Sequence, residues 1–293
     1  MKNTELVMEG AAEGMVLWSR TVIPALYPFI FISSFLAESE TVYFISDTLG
    51  NKISRILHIT PISIVVLLNG FLFGCPAGAK CMKDLYEQNR ISFDEGGYLL
   101  SFCNNTSPFF LISYLIVSNL KRRDLIIPSL IIFYSGILIS CFLFWVFIYR
   151  GIKPGAVRTP ERIKKRNIYE NIDRGINSGC SILVKLGGYL IIFTVLRTML
   201  IRIPVDHFIW NYILLPSVEM IGGIHMLCES GLPFGMKYTL CMGLCSFGGI
   251  CCAFQTGSVI GQSEWSLNLY IKEKLVTSMI TSLIAFLFIC ITE

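Results

Sequence analysis

FLFGCPAGAK (71–80) follows the apolar run PISIVVLLNG (61–70) and decides the fold of this chain. A helix that only spans lipid needs no such cluster of small residues, proline and lysine. Pro76 ends a helix, while Gly74 and Gly78 allow a tight turn without steric cost. Irregular backbone at membrane depth is tolerated where protein or a water-filled cavity satisfies its polar groups. The stretch therefore predicts a re-entrant helical hairpin near 61–81, with its tip near Gly74–Gly78.

The composition is that of a polytopic membrane protein. The 293 residues are 54% hydrophobic and 15% charged, and the mean hydropathy is +0.64, whereas a soluble domain carries about 25% charged residues. About 20 apolar residues cross a hydrocarbon core of roughly 30 Å. The candidate segments are 14–37, 61–81, 98–118, 125–149, 176–200, 208–228, 236–260 and 268–292. We expect an all-α fold with six to eight membrane segments. The polar, acidic start predicts no cleavable signal peptide, so the first segment is expected to remain.

A basic stretch divides the chain into two parts. Residues 149–175 carry eight Lys or Arg against three Asp or Glu, and they lack apolar periodicity. This pattern predicts a connecting loop over 150–175, placed in the cytoplasm by the positive-inside rule. The first membrane half is then 1–149 and the second is 176–293. Nucleic-acid binding by the loop is the less favoured interpretation, because hydrophobic spans flank it.

The two halves resemble each other in where they are interrupted. GCPAGAK (74–80) breaks an apolar run in the first half, and SFGGICCAFQTG (246–257) breaks one in the second. Paired interruptions of this kind are the best sequence indication of a transporter site. We expect two related, inverted halves with a second hairpin near 236–260, where Gln255 and Thr256 offer polar groups. Close packing through small residues is the alternative explanation.

A further interruption lies in the segment 98–118. Asn104, Asn105, Thr106 and Ser107 follow one another inside an apolar run and end at Pro108. Amides and hydroxyls supply donors and acceptors without the cost of burying a net charge. The pattern predicts recognition of a small polar substrate by Asn104, Asn105 and Thr106. Satisfying the backbone of the broken helix is the alternative.

Three charged residues inside apolar segments are functional candidates, since charges at membrane depth are costly. Lys80 lies near the N-terminus of the second hairpin helix, where free N–H groups and the helix dipole also favour an anion. Lys185 is an isolated cation in the first span of the second half. Glu219 is expected to pair with Lys185 or to carry a coupling proton. The alternatives are an interfacial anchor for Lys80 and a loop position for Glu219.

The sequence predicts no metal site, cofactor or enzymatic activity. Most of the eleven cysteines lie inside apolar runs, no CxxC pair occurs, and the three histidines are scattered. We therefore expect neither a structural metal nor an obligatory disulfide. The sequence also contains no GxSxG or HExxH motif, and GCPAGAK is not a phosphate-binding P-loop.

GCPAGAK (74–80), LYEQNRISFDEGGYLLSF (85–102) and NNTSPFF (104–110) resemble the YlbJ family of sporulation integral membrane proteins, which carry a nucleoside-recognition (Gate) domain. The likeness extends to GMVLWSRTVIPALYPF (14–29), LVKLGGYLIIFTVL (183–196) and EMIGGIHML (219–227), so nearly the whole chain takes part. The resemblance implies a role in spore maturation at the outer forespore membrane. It further implies transport of dipicolinic acid toward the developing spore.

Dipicolinate is a planar dianion, so its site needs positive potential, hydrogen-bond donors and flat walls. The residues proposed for it are Gly74, Pro76, Gly78, Lys80, Asn104, Asn105, Thr106, Lys185, Gln255 and Thr256, with Glu219 as the coupling candidate. A carrier of nucleosides or other small solutes remains an alternative, as does a non-transporting structural protein of spore maturation. The expected partners are a small anionic solute and the lipid bilayer, without nucleic acid, and a homo-oligomer stays open.

Overall fold

The computed structural model describes residues 2–24, 27–28, 31, 50–152, 168–261 and 265–292, and every regular element among them is helical. In chain order the helices are α1 (Lys2–Leu17), α2 (Asn51–Leu57), α3 (Ile64–Phe73), α4 (Ala77–Glu87), α5 (Phe93–Cys103), α6 (Pro108–Phe110), α7 (Ile126–Phe147), α8 (Ile168–Ile201), α9 (Leu215–Val218), α10 (Met220–Glu229), α11 (Phe234–Phe247), α12 (Gly249–Ile260) and α13 (Leu267–Thr292). The all-α prediction is confirmed for the described residues.

Within the described residues, five helical runs are long and apolar enough to cross a membrane. They are Phe93–Asn119, Arg123–Phe147, Gly175–Ile201, Phe234–Ile260 and Leu267–Thr292. Each covers one of the predicted spans, so the chain is an integral membrane protein. Part of the predicted span 14–37, including 32–37, lies outside the described residues, as do residues 153–167 of the basic loop.

The long helix α8 packs along α1. Their backbones approach closely, because a methyl group added at Gly10 would lie 2.8 Å from the Cα of Val195. The loop prediction for 150–175 was too long, since α8 begins at Ile168.

Helices α3 and α4 form a helical hairpin in which they pack against each other. The turn is shorter than expected: α3 ends at Phe73, α4 begins at Ala77, and Gly78 is already helical. Gly78 lies where the two helices of the hairpin pack against each other, because an added methyl would lie 2.9 Å from the Cα of Gly70. The turn lies within the predicted range 74–78, but Gly78 itself belongs to the helix that follows it.

A buried carboxylate fixes the start of this hairpin. Glu95, in the first turn of α5, accepts hydrogen bonds at Oε1 from the Thr60 backbone N–H (2.6 Å) and the Ser63 hydroxyl (2.7 Å). The Ser92 hydroxyl accepts from the Glu95 backbone N–H at 3.2 Å, as the sequence spacing predicts for a helix cap. α5 is thereby tied to the segment that leads into α3.

Helix α5 and helix α6 are separated by four non-helical residues, 104–107, as predicted. Beyond this interruption α6 continues as a π-helical segment, Leu111–Asn119. The long helix α7 follows and packs against both α5 and α13. The first part of the chain thus contains a hairpin, an interrupted helix and a long helix, in that order.

The segment 208–228 is not a simple span. A π-helical segment, Trp210–Leu214, leads into α9, and the non-helical Glu219 separates α9 from α10. The two helices contact each other, and a methyl added at Gly223 would lie 2.2 Å from the Pro216 carbonyl oxygen. The chain therefore folds back at Glu219, which the apolar pattern alone could not indicate.

The segment 236–260 is an interrupted helix, whereas a hairpin was expected there. α11 packs mainly against α13, while α12 packs against α4 and α8. Because the two helices have different neighbours, they do not fold back on each other as α3 and α4 do. The order of hairpin, interrupted helix and long helix therefore occurs a second time, with the hairpin at Glu219.

Candidate functional site

The four interruptions of the helices meet around one cavity of about 80 Å³. They contribute Gly74 and Cys75, Thr106 and Ser107, Glu219 to Ile221, and Gly248. Helix α8 closes one side through Leu186 and Leu190, and Val22 lies beside them. A mostly apolar cavity with a few convergent polar groups is the usual form of a small-molecule site.

Gly74 forms the first interruption because its φ of 81° suits glycine and few other residues. A methyl added there would lie 2.9 Å from the Ser107 backbone nitrogen. The next residue, Cys75, donates its backbone N–H to the Asn105 carbonyl at 2.8 Å. The turn of the first hairpin is thus bound directly to the interruption of the following helix.

The interruption between α5 and α6 is in turn bound to the second part of the chain. The hydroxyl of Thr106 donates to the Cys245 carbonyl at 2.6 Å, near the end of α11. Gly248, with a φ of 84°, then allows α12 to begin at Gly249 beside the cavity. No side chain among the described residues caps α12, so the partial positive charge of its N-terminus is available to the cavity.

Glu219 is the charged residue among those lining the cavity, and its side chain is 2% exposed. Its Oε1 accepts from the Ile221 backbone N–H (2.6 Å) and its Oε2 from that of Gly222 (2.7 Å). Glu219 therefore caps α10 with both oxygens. The carboxylate takes the place at this helix N-terminus that an anion would otherwise occupy.

The positive charge near Glu219 comes from Arg197 of α8, and the expected partner Lys185 lines a different pocket. A methyl added at Gly222 would lie 2.6 Å from Arg197 Cζ, so the guanidinium covers the start of α10. Arg197 is buried and forms an ion pair with Glu13 of α1. The sequence reading missed Arg197, although an arginine inside TVLRTML (194–200) is a signal of the same kind as Lys185.

Asn104 and Thr256 lie in a buried network behind the cavity. Asn104 Nδ2 donates to Thr256 Oγ1 at 2.7 Å and to the Tyr270 hydroxyl at 2.9 Å. The Asn104 side chain also lies 3.4 Å from Cys75 Sγ. These contacts connect the first two interruptions with α12 and α13. The polar residues 104–107 therefore hold helices together as well as lining the cavity.

Lys274, which the sequence reading did not single out, is fully buried in the same region. Its Nζ donates to Asn105 Oδ1 at 2.6 Å, and its side chain is 2% exposed. The neighbouring Glu273 accepts from the Tyr149 hydroxyl at 2.8 Å. Nothing in the sequence predicted this burial. YIKEKL (270–275) lies at the end of an apolar segment, where alternating charges normally face water.

Lys80 and Lys185 lie together, but in a second, wider pocket of about 310 Å³. We call this pocket the vestibule; its charged residues are Lys80, Lys83, Asp84, Glu87 and Lys185. Lys80 is half-exposed and paired with Asp84 at 3.0 Å, so it does not reach the tip of the hairpin. Gln255 lines both the cavity and the vestibule, and Pro76 lines the vestibule.

The predicted site residues thus fall into separate places. The cavity is lined by Gly74, Thr106, Glu219 and Gln255, and the vestibule by Pro76, Lys80, Lys185 and Gln255. Asn104, Asn105 and Thr256 belong to the buried network, and Gly78 packs within the hairpin.

The chain is similar to the sporulation integral membrane protein YlbJ of Bacillus subtilis (strain 168). The two are 26% identical over 208 residues, which cover 66% of this chain and 51% of the relative. The similarity is distant and covers less than the nearly whole-chain likeness expected from the motifs. The chain spans about half the length of this curated relative. No model of a protein family matches the chain, and neither does any solved structure.

Proposed function

We propose that this protein is a membrane carrier that binds a small polar solute in the cavity where the four helix interruptions meet. The observation that supports it is the convergence itself: Gly74, Thr106, Glu219 and Gly248 come from four separate segments and line one space. Discontinuous helices that meet at a binding site are typical of secondary transporters. The repeated order of hairpin, interrupted helix and long helix further supports two related, inverted halves whose hairpins enter the membrane from opposite sides.

The proposed substrate is dipicolinic acid, moved across the outer forespore membrane during spore maturation. The distant relationship to a sporulation membrane protein supports this setting. The vestibule supports an anion, because its three lysines outnumber its two carboxylates, Asp84 and Glu87. The uncapped N-terminus of α12 offers a second anion-attracting group within the cavity.

Glu219 sets a condition on this substrate. An ionised carboxylate in the cavity repels a dianion, and neutralising Glu219 with a proton removes that repulsion. We therefore propose that the anion and one proton move together, with Glu219 as the proton carrier. A neutral nucleoside-type solute is the second candidate. Glu219 is the one charged group in the described lining, and its carboxylate could accept hydrogen bonds from the hydroxyl groups of such a solute.

Uptake by the purified protein in liposomes tests the proposal. Labelled dipicolinate, a nucleoside and an amino acid are offered in parallel, with protein-free liposomes as the control. We expect saturable dipicolinate uptake that increases when the outside is acidified. Saturable uptake of the nucleoside alone would identify a nucleoside, instead of dipicolinate, as the substrate. No uptake of any solute would contradict the carrier function.

A further inference from the structure

Lys274 provides a positive charge at a place where transporters commonly hold a metal cation. Half-helix C-terminal ends and unwound carbonyl groups coordinate Na⁺ in discontinuous helices, since their partial charge is negative. α5 ends at Cys103, and Asn105 lies in the unwound segment directly after it. Lys274 Nζ is bound to Asn105 Oδ1 at 2.6 Å.

The amide of Asn105 connects this cation to the end of the half-helix. Its Nδ2 donates to the Phe102 carbonyl, in the last turn of α5, while its Oδ1 accepts from Lys274. The Asn105 backbone carbonyl is bound by the Cys75 N–H at the first hairpin. The ammonium is therefore fixed at the junction of the hairpin and the interrupted helix.

The burial of Lys274 has a free-energy cost, which indicates that its charge has a role. The side chain is 2% exposed, whereas Lys272, two residues earlier on the same helix, is exposed. Glu273, also buried, is directed to the Tyr149 hydroxyl at 2.8 Å. Lysine is almost never fully buried without a partner of this kind, and charges at membrane depth are usually functional.

We propose that the ammonium group of Lys274 is a built-in replacement for a coupling cation, so that the native protein has no Na⁺ site at the interruption 104–107. The junction then holds a positive charge without loading an ion from solution. The role in transport rests on the proposed carrier function, but the occupancy of the site does not.

Binding of ²²Na⁺ to the purified full chain in detergent tests this directly. In Lys274→Ala the Asn105 side chain loses its cation, and we expect about one Na⁺ to bind per chain. The native protein, Lys274→Arg and the exposed control Lys272→Ala should bind far less. In parallel, NaCl at ten times the dissociation constant should raise the Tm of Lys274→Ala by about 3–6 °C relative to choline chloride.

Equal Na⁺ binding by the native protein and Lys274→Ala, whether both bind or neither does, would overturn the inference. If Lys274→Ala does not yield folded protein, Lys274→Ser takes its place with the same expectation, since its hydroxyl adds an oxygen ligand. A difference in Na⁺ binding without any solute uptake would contradict the carrier function and leave the cation replacement intact.

Discussion

Asn104 and Thr256, 152 positions apart, are joined by a buried hydrogen bond of 2.7 Å from Nδ2 to Oγ1. Thr256 is in addition 3.4 Å from the Tyr270 hydroxyl, which itself accepts from Asn104 at 2.9 Å. The bond links the interruption after α5 to α12. Neither residue is in the described lining of the cavity; their side chains hold the two interrupted helices together, and their contact with substrate stays a prediction.

Thr256→Val should therefore destabilise the fold. The change keeps the shape of the side chain but removes the hydroxyl, which leaves a buried Asn104 donor with one acceptor fewer. The expected loss in the free energy of unfolding is about 1–3 kcal/mol. Thermal unfolding in detergent measures it, with Thr292→Val, at the exposed end of α13, as the control expected to stay near the native value. Equal stability of both variants would show that the network does not contribute to the stability of the fold.

Gly70→Ala should prevent the first hairpin from packing on α5. A methyl at Gly70 would lie 1.5 Å from the Cys103 carbonyl oxygen, so the backbone must move apart. Overpacking of this kind costs at least about 1–3 kcal/mol. Gly188→Ala is the matched control, because no atom lies within 4 Å of its added methyl. The yield of monodisperse protein and its Tm report the difference, and a normal Gly70→Ala protein would refute this packing.

The sequence could predict the interruptions because local chemistry marks them. Gly74 and Pro76 interrupt one apolar run, and four consecutive polar residues, 104–107, interrupt another. For Glu219 the loop position given as the alternative is the one that the structure shows, since this residue is non-helical between α9 and α10. Its role as a cap depends on two backbone N–H groups that only the folded chain places there.

The division of the candidate site into a cavity and a vestibule was beyond the sequence. Lys80 lies four residues after Pro76, but a helical turn directs its side chain to Asp84 and the vestibule. Lys274 and Arg197 escaped notice because their burial depends on neighbours far along the chain, in the interruption after α5 and in α10. Spacing within one segment does not contain that information.

Glu219→Gln should remove the pH dependence of uptake. The protonated carboxyl group favours entry of an anion, so uptake by the native protein falls as pH rises and Glu219 ionises. The amide of the variant stays neutral at every pH, so dipicolinate uptake should persist and become flat across the neutral range. Glu229→Gln, at the exposed end of α10, should keep the native profile. An unchanged profile in Glu219→Gln would exclude Glu219 as the proton carrier.

Lys185→Met should weaken dipicolinate uptake more than Lys80→Met does. Lys80 is paired with Asp84 at 3.0 Å and Lys83 with Glu87 at 3.6 Å, so Lys185 supplies the excess positive charge of the vestibule. We expect roughly a tenfold lower kcat/KM at low salt, with a smaller effect at high salt because of screening. Lys272→Met is the control, and a salt-independent loss would contradict electrostatic attraction.

The central claim is that solute passes through the cavity, and filling that cavity tests it most directly. Leu190 is buried in its wall on α8, whereas Leu196 of the same helix is exposed. Uptake of dipicolinate into liposomes is measured for Leu190→Trp and Leu196→Trp at equal amounts of monodisperse protein. We expect Leu190→Trp to abolish uptake and Leu196→Trp to retain it. Native uptake by Leu190→Trp would contradict the cavity as the transport site.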